Sequence, residues 1–130
     1  MEKRRIMKPE SKLMCAIFGL SASTDDDFYE ELDGLTLHDA LMEVLNDLKP
    51  YPRQNLHRDK QILLKRFGLD SPDGEGKTLQ QIGNEYGISR EAVRQIIFKM
   101  LRRLRHPRRR AMLKRFIKKV EGTDKIKSCK

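Results

Sequence analysis

Arg90, Glu91, Arg94 and Gln95 sit within two helical turns of one another, and their types are those that bind base edges and phosphates. A guanidinium at Arg90 suits guanine O6 and N7 in a bidentate pair. A carboxylate at Glu91 accepts from cytosine N4, and the amide of Gln95 matches adenine. Arg94 suits a phosphate instead, as do the backbone N–H groups of Thr78 and Leu79 and the side chains of Lys99, Arg102 and Arg105. Alternating charges also decorate plain solvated helix faces, so the elements that carry these residues decide what they are for.

Those elements are two helices and a tight turn. Thr78 followed three residues later by Gln81 is a capping-box pattern, and Leu79, Ile82 and Tyr86 fall on one side at helical spacing. Gly87 supplies the left-handed residue that ends this helix. Ser89 caps the next one, with Glu91 in its first turn at the positive end of the dipole. Wound at about 100° per residue, Val93, Ile96, Ile97, Met100, Leu101 and Leu104 form an apolar face. Arg90, Glu91, Arg94, Gln95, Arg102 and Arg105 lie opposite. The connection Gly87-Ile88-Ser89 is as short as a helix-turn-helix requires.

The residues GISREAVRQI, preceded by LLKRFGLD and TLQQIG and followed by LRRLRHPRRRAML, resemble region 4 of sigma-70 family transcription initiation factors. The resemblance covers about Leu63 to Phe116. It implies a compact helical domain that recognises the promoter −35 element and docks on the flap of the RNA polymerase β subunit. Carried over by position, it implies base reading by Arg90, Glu91 and Gln95, with Arg94 near the DNA backbone or available to activators.

Two departures from the family pattern stand out. Ala92, Ile97 and Phe98 occupy positions where the family has longer, charged or small side chains. Ile97 turns to the apolar side, but Phe98 falls in the middle of the polar face, between Arg94 and Arg102. It is expected to meet a thymine methyl or an apolar patch on a protein partner. The second departure lies upstream, where Pro50 and Pro52 force an extended stretch, so a longer loop is expected between the helix that ends at Leu48-Lys49-Pro50 and the one that ends in RFGL.

Composition agrees with a nucleic-acid partner. The chain has 28 Lys and Arg against 19 Asp and Glu, a formal net charge of +9, and the charge is unevenly placed. Leu13 to Leu48 contains no Lys or Arg, whereas Arg102 to Lys119 contains ten basic residues and no acid. A block of that size is expected to neutralise several phosphates and make binding steeply salt-dependent. Within the acidic half, Leu37, Leu41, Val44, Leu45 and Leu48 mark an amphipathic helix. The preceding STDDDFYEELDG reads as a linker. Two readings of it stay open: a passive connection, or an acidic strip that folds back on the basic face and competes with DNA.

With the basic start before it, the apolar run Leu13 to Leu20 superficially resembles a secretory signal, but Pro9, Glu10 and Lys12 interrupt the transition and the run is short. It is expected to pack on a partner or on the domain itself. No stretch approaches the roughly 20 apolar residues of a membrane span. Cys15 and Cys129 lack metal-ligand spacing, and His38, His57 and His106 are isolated, so neither metal nor cofactor is expected. No catalytic constellation is present, and the chain reads as a non-enzyme of the bacterial cytoplasm and nucleoid.

The expected fold is all-α and small, with four or five helices around a helix-turn-helix and no sheet. Residues 1–35 are expected to form a flexible acidic arm, 36–120 the domain, and 121–130 a flexible tail. After Pro107 a closing helix should pack Leu113, Phe116 and Ile117 onto the domain. The melting domain of a complete sigma factor is absent from these residues, so the resemblance implies a region-4-only factor or a sigma fragment. Its partners would be promoter DNA, RNA polymerase and a second sigma-like subunit or regulator. A different class is also open: an adaptor that uses the same fold to bind polymerase or a regulator without reading bases.

Overall fold

The computed structural model describes residues 7–20, 24–50 and 55–118. Six helices follow in order: α1 (Pro9–Phe18), α2 (Leu37–Asn46), α3 (Leu56–Phe67), α4 (Leu79–Tyr86), α5 (Arg90–Leu104) and α6 (Pro107–Lys114). Between α1 and α2 stand a short 3-10 turn at Asp25–Asp27 and two strands, β1 (Glu31–Leu32) and β2 (Leu35–Thr36). The predicted helical class holds, with one helix more than expected.

The strands correct the expectation of no sheet. Glu31 pairs with Thr36 and Leu32 with Leu35, antiparallel. Asp33 and Gly34 between them both adopt positive φ, 53° and 82°. Two consecutive left-handed residues make the turn whose twist matches a two-residue hairpin, and Asp-Gly is its preferred sequence. The acidic segment is therefore shaped by its own turn chemistry.

A larger correction concerns residues 1–35, expected as a flexible arm. Within the described part of that stretch, α1 is an integral layer of the core. Leu13, Met14, Ile17 and Phe18 are buried beside Ile62 and Leu63 of α3, Val93, Met100 and Leu104 of α5, and Leu113 and Phe116. Pro9 in the first turn, Glu10 beside it and left-handed Gly19 at the end delimit α1. A helix of 10 residues would not persist alone in water. Burial holds it, at about 1.5–3 kcal/mol for each large apolar side chain.

α2 ends at Asn46 and α3 begins at Leu56, capped by Asn55 Oδ1 accepting from the Arg58 amide at 3.0 Å; residues 51–54 of the expected loop, Pro52 included, lie outside the described residues. The closing helix ends sooner than the apolar periodicity implied. It stops at Lys114, and the chain turns so that Phe116 is buried and Ile117 bridges to Phe28. The tail 121–130 and Cys129 lie outside the described residues.

Candidate nucleic-acid interface

The helix-turn-helix forms by the local signals that mark it in the sequence. Thr78 Oγ1 accepts from the Gln81 amide at 3.1 Å, and Gln81 Oε1 accepts from the Thr78 amide at 2.9 Å. Gly87 ends α4 with φ 70°, and Ser89 Oγ accepts from the Ala92 amide at 3.0 Å to start α5. One requirement was not anticipated. A Cβ on Gly83 would stand 2.6 Å from the Ile88 carbonyl oxygen, so only glycine lets α4 meet the turn this closely. A glycine inside an otherwise helical pattern was the available signal.

Behind the turn, α3 is braced against α4. Lys65 and Lys77 both approach Glu85, at 3.3 and 3.7 Å, and Arg66 donates to the Lys77 carbonyl at 3.0 Å. The hydrogen bond to Glu85 raises the Lys65 pKa. Val93, Ile97, Met100 and Leu104 of α5 are buried against this frame.

The opposite face of α5 is open. Arg90, Glu91, Arg94, Gln95, Phe98, Lys99, Arg102 and Arg105 are all exposed. Glu91 stands at the centre of a small network. Arg94 donates to both its oxygens, Nε to Oε1 at 3.0 Å and Nη2 to Oε2 at 2.7 Å, and Gln95 Nε2 donates to Oε2 at 2.9 Å. The Arg94 guanidinium and the Gln95 amide together hold the Glu91 carboxyl at about 2, well below its ordinary 4.5. Arg90, Lys99 and Arg102 make no side-chain hydrogen bond or ion pair among the described residues.

Two expected backbone contacts are changed by what the structure does with the groups. The Thr78 amide is taken by Gln81 Oε1, which leaves Leu79 and Gln80 as the N–H groups of the α4 terminus with no helical partner. Arg105 turns away from its helix face and clamps α1, with Nε donating to the Ile17 carbonyl at 3.1 Å and Nη2 to the Ala16 carbonyl at 2.8 Å. Those are last-turn carbonyls of α1, which have no helical partner of their own.

The basic block beyond it is treated likewise. Arg103 donates to the Lys49 carbonyl, Arg109 lies 3.4 Å from Asp47, and Arg110 stacks over Phe18 at 5.2 Å. Arg115 meets Asp33 at 2.7 Å, and Lys118 sits over Tyr29 at 5.2 Å. Main-chain bonds run alongside, Tyr29 N–H to the Phe116 carbonyl and Lys118 N–H to the Asp27 carbonyl, both 2.8 Å. Acidic and basic segments thus fold onto one another.

The geometry and the comparisons with known proteins converge. The family described as Sigma-70, region 4 matches residues 57–106, a span that contains α4, the turn and all of α5. The chain carries a sigma-70 region 4 domain. Among its relatives, the RNA polymerase sigma factor SigA of Clostridium acetobutylicum is 42% identical over 81 residues, covering 62% of this chain and 19% of SigA. The SigA of a Bacillus species is 42% identical over 96 residues, 70% of this chain and 24% of that protein. The SigA of a Nostoc species is 43% identical over 82 residues, 63% of this chain and 19% of that protein. The chain therefore spans about a fifth to a quarter of the length of these relatives. The clasp made by α1, the hairpin and α6 lies outside the matched region 4 residues.

Two of the three histidines have structural employment. His38 Nδ1 is 2.8 Å from Glu10 Oε2, joining α2 to α1, and His106 Nδ1 accepts from the Arg108 amide at 3.2 Å to cap α6. Among the described residues, no helix is long and apolar enough to cross a membrane.

Proposed function

We propose that this region 4 domain binds double-stranded DNA in transcription initiation, in the bacterial cytoplasm, reading a promoter −35-like element with Arg90, Glu91 and Gln95 while docked on the β-subunit flap of RNA polymerase. It has no enzymatic role. The observation that carries the reading is the exposed Arg90, Glu91 and Gln95 face of α5, set by a short turn beside the open amides of α4. That combination presents base-edge donors and acceptors from a helix and phosphate donors from a neighbouring helix end. Arg94, Lys99 and Arg102 add backbone charge on either side.

One reading head of this size buries roughly 600–1,000 Å² on DNA and binds weakly alone. Attachment to polymerase would supply the missing affinity through effective concentration. The test is a titration of the chain, with and without core polymerase, against a −35-like duplex and its scrambled counterpart. Preference for the −35-like duplex that is lost in Arg90→Ala and Glu91→Ala supports base reading. Equal binding to both duplexes by all three proteins, with polymerase still captured, would leave an adaptor that does not read bases.

A further inference from the structure

Phe98 is 50% exposed in the middle of the reading face. It stands seven residues after Glu91, four after Arg94 and three after Gln95, which places it on their stripe of the helix. The helix rise sets it about 4.5 Å beyond Gln95 along the axis, little more than one base-pair step, and about 12 Å from Arg90, within the width of the major groove. Its surroundings distinguish between occupants. Among the described residues the other large exposed apolar side chains, Tyr29 and Met112, lie on other elements. Around Phe98 stand Arg94, Lys99 and Arg102, all exposed. A protein docking site centres its aromatic in an apolar patch; a lone ring among cations suits a groove whose walls are phosphates and whose floor offers one apolar group. In the major groove that group is the thymine C5-methyl.

Resting on the DNA-reading proposal above, we infer that Phe98 is a specificity residue that contacts a thymine methyl next to the bases met by Glu91 and Gln95. The ring adds recognition of thymine where the other readers recognise guanine, cytosine and adenine.

The experiment compares a −35-like duplex with the same duplex carrying deoxyuracil at every thymine, which removes only the methyl groups. Binding of the full chain, Phe98→Ala and Phe98→Leu is measured on both, with a scrambled duplex as reference and thermal melting as a folding control. The full chain should lose about fourfold on deoxyuracil, the worth of one buried methyl group. Phe98→Ala should lose a similar factor on the thymine duplex and be indifferent to the exchange, and Phe98→Leu should keep part of the discrimination. Equal sensitivity of the full chain and Phe98→Ala to deoxyuracil, or none in either, overturns the inference while leaving base reading intact. So does a Phe98→Ala variant that binds both duplexes like the parent but no longer captures polymerase. If the full chain does not separate the −35-like duplex from the scrambled one, the DNA reading itself falls and the inference with it.

Discussion

Arg90 and Arg109 are arginines of adjacent helices in one small domain, yet they meet different fates. Arg90 projects from α5 with no ion pair among the described residues, whereas Arg109 lies 3.4 Å from Asp47 and donates to the Arg103 carbonyl at 3.0 Å. The contrast extends to their surroundings. Arg90, Lys99 and Arg102 face outward, while Arg103, Arg105, Arg109, Arg110, Arg115 and Lys118 hold the N-terminal segment against the C-terminal one. A basic count in a sequence is an upper limit on the charge available to a ligand. Here Asp47 and Asp33 of the acidic segment take Arg109 and Arg115, and main-chain carbonyls and aromatic rings take the others.

This contrast can be broken by experiment. The largest effect belongs to the clasp: Leu13→Ala should destabilise the domain by about 2–5 kcal/mol in urea unfolding, because it opens a cavity beneath α1. A loss within ±0.5 kcal/mol would mean that α1 is not part of the core. Next comes the reading face, where Arg90→Ala should weaken binding to a preferred site by about 1–3 kcal/mol while the melting temperature stays unchanged. A fall in melting temperature alone would place Arg90 with the clasp.

Salt dependence separates the two groups of cations more finely. Lys99→Ala and Arg102→Ala should each flatten the slope of log binding constant against log salt by about 1, whereas Arg109→Ala and Arg115→Ala should leave it unchanged. Equal flattening by all four would erase the distinction. The smallest effect is the titration of Glu91. Because Arg94 and Gln95 lower its pKa to about 2 from 4.5, its carboxylate should persist to low pH in a carbon-detected NMR titration. The stabilisation linked to this depressed value is present above about 4.5 and lost as pH falls through about 2. Its size is small because the pair is exposed. Arg94→Ala should return the midpoint toward the ordinary value; an unmoved midpoint would show that Arg94 does not hold Glu91.

The reading half was legible in the sequence because its determinants are local. A capping box, a left-handed glycine and a serine cap act over three or four residues, and the α5 faces follow from one periodicity. The clasp was legible only in outline, as an acidic strip that could fold back on the basic block and an apolar run that could pack on the domain; its pairings were not, since they join residues far apart: Arg105 and Ile17 are separated by 88 positions. The apolar run from Leu13 announced burial without announcing against what. Asp33-Gly34 was a readable hairpin signal obscured by the surrounding acids. Gly83 was legible only as an oddity, because its reason is the carbonyl of Ile88 across the turn.

The bridge between Phe28 and Ile117, with the Tyr29 amide bonded to the Phe116 carbonyl, also sets an order of assembly. During synthesis from the N-terminus, Leu13, Met14, Ile17 and Phe28 emerge long before the α5 and α6 residues that cover them. The caps and the turn of α4 and α5 lie close together in the chain, but Leu13, Met14, Ile17 and Phe28 must wait for Leu113, Phe116 and Ile117 to be made. In that interval they are open to chaperones and to neighbouring chains.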